Sequence, residues 1–93
     1  MLSMAHTITG KNRILTRANR IKGQIEAFSK AVESEVDEYE VMRLLASCRG
    51  ALNGLTVEIL EGHIKEHIVG AKDKKLAAEA GEDLIEIIHS FMK

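Results

Sequence analysis

The feature that most constrains this chain is the length of its central apolar seam. Val41, Leu45, Cys48, Leu52, Leu55, Ile59 and Gly62 recur at alternating steps of four and three, the period of one face of an α-helix. No proline interrupts the run. Asp37, with Glu40 three residues on, offers an N-terminal capping pattern, and Gly70 offers a C-terminal stop. The expected helix therefore reaches about Val69, and about 33 residues at 1.5 Å each span roughly 50 Å. A compact globule of this length is only about 30 Å across. Such a helix outruns its own chain, so the seam predicts a second copy of the helix, parallel or antiparallel, laid along it. Gly50 and Gly54 stand at the midpoint beside Ala46 and Ala51. Each glycine costs a helix interior about 1 kcal/mol relative to alanine. Close approach of a second backbone would offset that cost; the plainer reading is a kink.

Two further helices complete an all-α, three-helix protomer. The first is expected from about Lys11 to Glu33, where Ile14, Ala18, Ile21, Ile25, Phe28 and Val32 form one apolar seam. Residues 1–10 read as a flexible N-terminal arm, and residues 11–93 as one domain. Ser34 to Asp37 is a polar link. The third helix is expected over about Asp73 to Met92, with Leu76, Ala80, Leu84, Ile87, Ile88 and Phe91 on its apolar side. The lone Cys48 excludes an internal disulfide, fits a reducing cytoplasm and, lying in the seam, reads as a core residue. No apolar run approaches the ~20 residues of a membrane span, and no signal-peptide core is present. A soluble, intracellular protein with no membrane partner is expected. No nucleophile–base constellation and no phosphate-cradling glycine loop point to an enzyme.

Net charge is −1, but it is unevenly spread. Residues 1–25 carry Lys11, Arg13, Arg17, Arg20 and Lys22 without one Asp or Glu, a charge of +5, and the rest of the chain sums to −6. Arg13, Arg17, Arg20 and Gln24 recur at four, three and four, which places them on one helix face, expected opposite the apolar seam, with Lys11 and Lys22 flanking. A charged stripe is ordinarily a solvated face. Solvated faces mix both signs, however, and this one is purely basic. Guanidinium groups match phosphate oxygens bidentately, and Gln24 has the donor and acceptor needed to read a base edge. Arg49, midway along the second helix, extends the surface. Double-stranded DNA is the expected partner.

His63 and His67 lie four apart, a spacing at which two imidazoles share a metal, although exposed histidines so spaced more often face solvent. Glu38 precedes His63 by 25 residues, close to a whole number of helical turns, so the two face the same way about 37 Å apart. They cannot meet within one chain. In an antiparallel dimer crossing near Gly50, Glu38 of one subunit approaches His63 and His67 of the other, and His6 on the arm closes the site. Metal binding there pins the arm beside the basic helix and so links ligand to DNA affinity.

Three stretches carry a resemblance that covers nearly the whole chain: Arg17–Ala18–Asn19–Arg20–Ile21–Lys22–Gly23–Gln24, Arg49–Gly50–Ala51–Leu52–Asn53–Gly54–Leu55, and Glu61–Gly62–His63–Ile64–Lys65–Glu66–His67–Ile68–Val69. Through them the chain resembles the CsoR/RcnR-type bacterial transcriptional repressors. The resemblance implies an antiparallel dimer with a four-helix-bundle core and a dimer of dimers. It also implies operator binding by the unliganded homotetramer through Arg17, Arg20, Gln24 and Arg49, with release by an inducer. In the nickel/cobalt branch the ligands match His6, a cysteine where this chain has Glu38, His63 and His67, and Met4–Ala5–His6–Thr7–Ile8 resembles that branch's own start. The copper branch has cysteine at the positions of Glu38 and His67. The formaldehyde and persulfide branches also rely on cysteine at the position of Glu38. Those three readings are disfavoured. Three imidazoles and a carboxylate suit nickel, cobalt, zinc or ferrous iron, and disfavour copper(I). The alternative is a relative that has lost metal sensing and acts as a metal-independent module binding DNA or a partner protein.

Overall fold

The computed structural model describes residues 8–92. They form α1 (Ile8–Glu33), α2 (Glu38–His63), a π-helical segment (Ile64–Val69) and α3 (Lys74–Phe91), with no strand among the described residues. The all-α, three-helix expectation holds. Helix α1 begins three residues ahead of Lys11, so the last residues of the expected arm belong to its first turn. The one departure in element type is at the end of the long central helix. Its α-helical part stops at His63, and the chain continues to Val69 as a π-helix, which closes wider i→i+5 turns.

The described residues divide into two compact units, residues 8–57 and residues 58–92. In the first, α1 ends in a Schellman motif. The Val36 N–H donates to the Ala31 carbonyl at 3.2 Å and the Glu35 N–H to that of Val32 at 3.1 Å, the paired bonds that satisfy the last carbonyls of a helix. Glu35 takes the left-handed position, at φ 53°. Glycine ordinarily stands there, and a residue bearing a Cβ is disfavoured by roughly 1–2 kcal/mol. Asp37 then caps α2 as expected, its Oδ1 accepting from the Tyr39 N–H at 3.2 Å. The reciprocal half of the capping pattern is not formed. Both carboxylate oxygens of Glu40 go forward to the Arg43 guanidinium, one of them at 3.0 Å, because a charged bidentate donor one turn away outcompetes a neutral N–H. Those hydrogen bonds hold the Glu40 carboxyl below its ordinary pKa.

The tight link folds α1 and the first part of α2 into a helical hairpin. Arg17 and Gly54, each sixteen residues from the turn along its own helix, come into contact. Ile21 and Ala31 of α1 and Cys48 of α2 are buried. Cys48 is 5 % exposed and is thus the core residue its place in the seam predicts. The rest of that seam is unevenly covered, with Leu45 53 % and Leu52 47 % exposed.

In the second unit the π-helical segment closes on Gly70, whose N–H donates to the Lys65 carbonyl at 2.9 Å. Gly70 is the expected stop, but not through left-handed backbone, for its φ is −88°. Its lack of a side chain matters for another reason: a Cβ would stand 3.0 Å from the carbonyl oxygens of both Lys65 and Glu66. Asp73 caps α3, accepting from the Leu76 N–H at 2.9 Å, a bond worth about 1 kcal/mol to such a helix. Ala80 of α3 and His63 are the buried residues of this unit.

Candidate nucleic-acid interface and metal centre

The residues expected to contact DNA all belong to the hairpin unit. Arg13, Arg17 and Arg20 line one open depression together with Asn12 and Thr16. Lys11, Lys22 and Gln24 are exposed on α1. Arg49 is exposed on α2, where it lines a second depression with Met42, Leu45, Ala46, Gly50 and Asn53. The stripe of Arg13, Arg17 and Arg20 is thus brought together, and Arg49 belongs to a different surface feature.

The stripe is not opposite the apolar seam. At about 100° per residue its centre lies roughly 90° round the helix from the seam, and Arg17 is the member nearest to it. That position explains why Arg17 is half-buried while Arg13 and Arg20 are exposed. Its guanidinium reaches back over α2, where Nη2 stands 2.7 Å from the point a Cβ on Gly54 would occupy. The space at Gly54 is therefore filled by an arginine of the same chain. Nothing lies within 4 Å of the corresponding point at Gly50.

The histidine pair lies wholly in the second unit. His63 is only 6 % exposed and His67 is half-buried, so the common expectation that histidines so spaced face solvent does not hold for this pair. The rings lie 5.2 Å apart between centroids, tilted by 39°. They stay together although His67 falls within the π-helical segment. His63 Nε2 is 3.1 Å from the Ala80 carbonyl oxygen. A carbonyl only accepts, so Nε2 carries the proton and donates, and in the neutral ring Nδ1 is then a bare lone pair. That Nδ1 and His67 Nε2 are both buried without a hydrogen-bond partner. Buried polar atoms are nearly always partnered, and two orphaned imidazole nitrogens on adjacent rings are suited to a shared cation. The Ala80 carbonyl plays the part that outer-shell acceptors play for metal-bound histidines, holding ring and tautomer in place.

Glu38 is exposed in the first turn of α2, in the other unit. His6 lies outside the described residues. Among the described residues no three metal-binding side chains gather in one place. The histidine pair was legible from its spacing, whereas the Ala80 contact, made by a backbone atom, left no trace in the sequence. No described helix is long and apolar enough to cross a membrane.

Residues 10–90 match the family model described as "Metal-sensitive transcriptional repressor". The chain is 40% identical over 91 residues to an uncharacterized protein in the bioA 5′ region of Serratia marcescens, covering 97% of this chain and 100% of that one. It is 34% identical over 90 residues to the transcriptional repressor RcnR of Citrobacter koseri, with the same coverage. Among solved structures it is similar to a glutamate-to-histidine variant of the formaldehyde-responsive regulator FrmR from Salmonella enterica serovar Typhimurium. That similarity has a TM-score of 0.84 and 36% identity, and covers 92% of this chain and 98% of the other.

Proposed function

The chain belongs to the family of metal-sensitive transcriptional repressors, which are regulators and not enzymes, and on that footing we propose that it is a homotetrameric repressor released from its operator by a divalent transition metal. The α1 face of Lys11, Arg13, Arg17, Arg20, Lys22 and Gln24, with Arg49, holds double-stranded DNA. The arginines and lysines supply phosphate contacts, and Gln24 reads a base edge. The metal-free protein is the operator-binding form.

The observation that carries the metal half is the pair of orphaned buried nitrogens, His63 Nδ1 and His67 Nε2. They would hold the ion, with Glu38 of a neighbouring subunit and His6 completing the set. Bound there, the ion supplies a fixed positive charge that ties ligands from different segments and subunits together. Three imidazoles and one carboxylate favour nickel, cobalt, zinc or ferrous iron over copper(I), which prefers thiolate. The site is incomplete within one chain's described residues, which supports a shared, intersubunit site. Ligand closure then acts on the assembly that carries the DNA face, and a coupling of 1–3 kcal/mol, about 5- to 150-fold in affinity, is typical of such linkage.

Isothermal titration with each of the four metals tests this reading. Sub-micromolar binding of at least one is expected, weakened by Glu38→Ala. Binding no tighter than micromolar for all four, unchanged in that variant, would favour the alternative of a relative that binds DNA or a partner without sensing metal.

A further inference from the structure

Arg17 has a seat on α2. Its Nη2 lies 2.7 Å, and its Cζ 3.8 Å, from the point where a Cβ on Gly54 would stand. That spacing is available only because residue 54 has no side chain. Glycine in the interior of an α-helix is otherwise unfavourable, and Gly54 is not in left-handed backbone, so its conformation is not what calls for glycine. The antiparallel hairpin sets Arg17 and Gly54 level with one another, and the stripe's position beside the apolar seam turns Arg17 toward α2. The guanidinium thus rests against the backbone of α2 and still borders the depression it shares with Arg13 and Arg20.

We propose that Gly54 is a positioning residue for DNA binding: it seats the Arg17 guanidinium on α2 in register with Arg13 and Arg20. A free arginine loses most of its rotamer freedom when it grips a phosphate. A seated one has lost part of it already, so more of the contact is realised as affinity. The seat also ties an arginine of the DNA-binding face to α2, so movement of that helix moves the contact. This inference rests on the DNA-binding reading of the basic face.

The test is a double-mutant cycle with Gly54→Ala and Arg17→Ala, read by fluorescence anisotropy on a labelled duplex that the wild-type protein selects from a random pool. Thermal melts and sedimentation of each variant accompany it. A methyl group at residue 54 forces Nη2 away. Gly54→Ala is expected to weaken DNA binding about 5- to 10-fold while its melting temperature stays the same or rises, as Gly-to-Ala in a helix interior ordinarily dictates. On the Arg17→Ala background the same substitution is expected to change affinity less than 2-fold, because the group it displaces is gone. Gly54→Ser, with one atom more, repeats the pattern should the alanine variant assemble poorly. Wild-type affinity in Gly54→Ala, or an equal loss with and without Arg17, overturns the seat. If Arg17→Ala itself leaves affinity and salt dependence unchanged, the reading of the basic face falls, and the seat with it.

Discussion

His63→Ala is expected to lower the affinity for nickel, cobalt, zinc and ferrous iron by at least about 100-fold and to leave DNA binding insensitive to all four. Even outer-shell partners of metal-bound histidines cost 10- to 100-fold when removed, and His63 supplies one of the two orphaned nitrogens itself. The substitution also empties a buried position and loses a hydrogen bond, at about 1–3 kcal/mol of stability. His67→Ala serves as the second variant, since that ring is less buried and makes no hydrogen bond through Nε2. The same loss of metal response is expected from it. His89 is exposed on α3, and His89→Ala should bind metal like the wild type. Titration calorimetry on all three variants, with melts to verify folding, checks the set. Retained tight binding in both His63→Ala and His67→Ala would remove the metal centre from this site.

The second large effect is expected on the DNA face. Each phosphate neutralised contributes about −0.9 to the slope of log affinity against log salt for duplex DNA. Arg17→Ala combined with Arg20→Ala is therefore expected to flatten that slope by about 2 and to weaken binding roughly 100-fold at low salt. The loss should be uniform across sequences, because phosphate contacts carry no sequence information. Gln24→Ala should do the reverse. It leaves the salt slope unchanged and loses discrimination among duplexes by about 1–3 kcal/mol at one base position. Anisotropy titrations at several salt concentrations, on a selected and a random duplex, separate the two behaviours. A slope that survives loss of both arginines contradicts the assignment.

Much of this molecule is legible in its sequence. Three helices, the Asp37 cap, the Gly70 stop and the burial of Cys48 all follow from local signals: a periodic seam, a capping side chain, a missing Cβ. What escaped has physical reasons. The turn after α1 places Glu35 in left-handed backbone, where a glycine would have announced it. The π-helical segment has no compositional mark. The burial of His63 depends on α3 closing over it, a tertiary event that the spacing of two histidines cannot report, and its partner is the backbone of Ala80. The basic stripe lies beside the seam and not opposite it, as the step of about 100° per residue dictates. Arg17 consequently leans on Gly54, a tertiary contact that no local pattern marks. In the central seam Leu45 and Leu52 are exposed while Cys48 is buried, and the proposed pairing of copies along α2 would cover those two leucines.

On the proposed function, one ligand event at the histidine pair governs the grip of the basic helix. The most direct test is the affinity of the wild-type protein for its selected duplex, measured by anisotropy with and without saturating nickel, cobalt, zinc or ferrous iron at fixed ionic strength. At least one metal is expected to weaken binding, by a factor within the 5- to 150-fold range ordinary for allosteric coupling, and His63→Ala is expected to abolish the effect. Equal affinity in the presence and absence of all four metals, for a protein that binds one of them tightly, would contradict it.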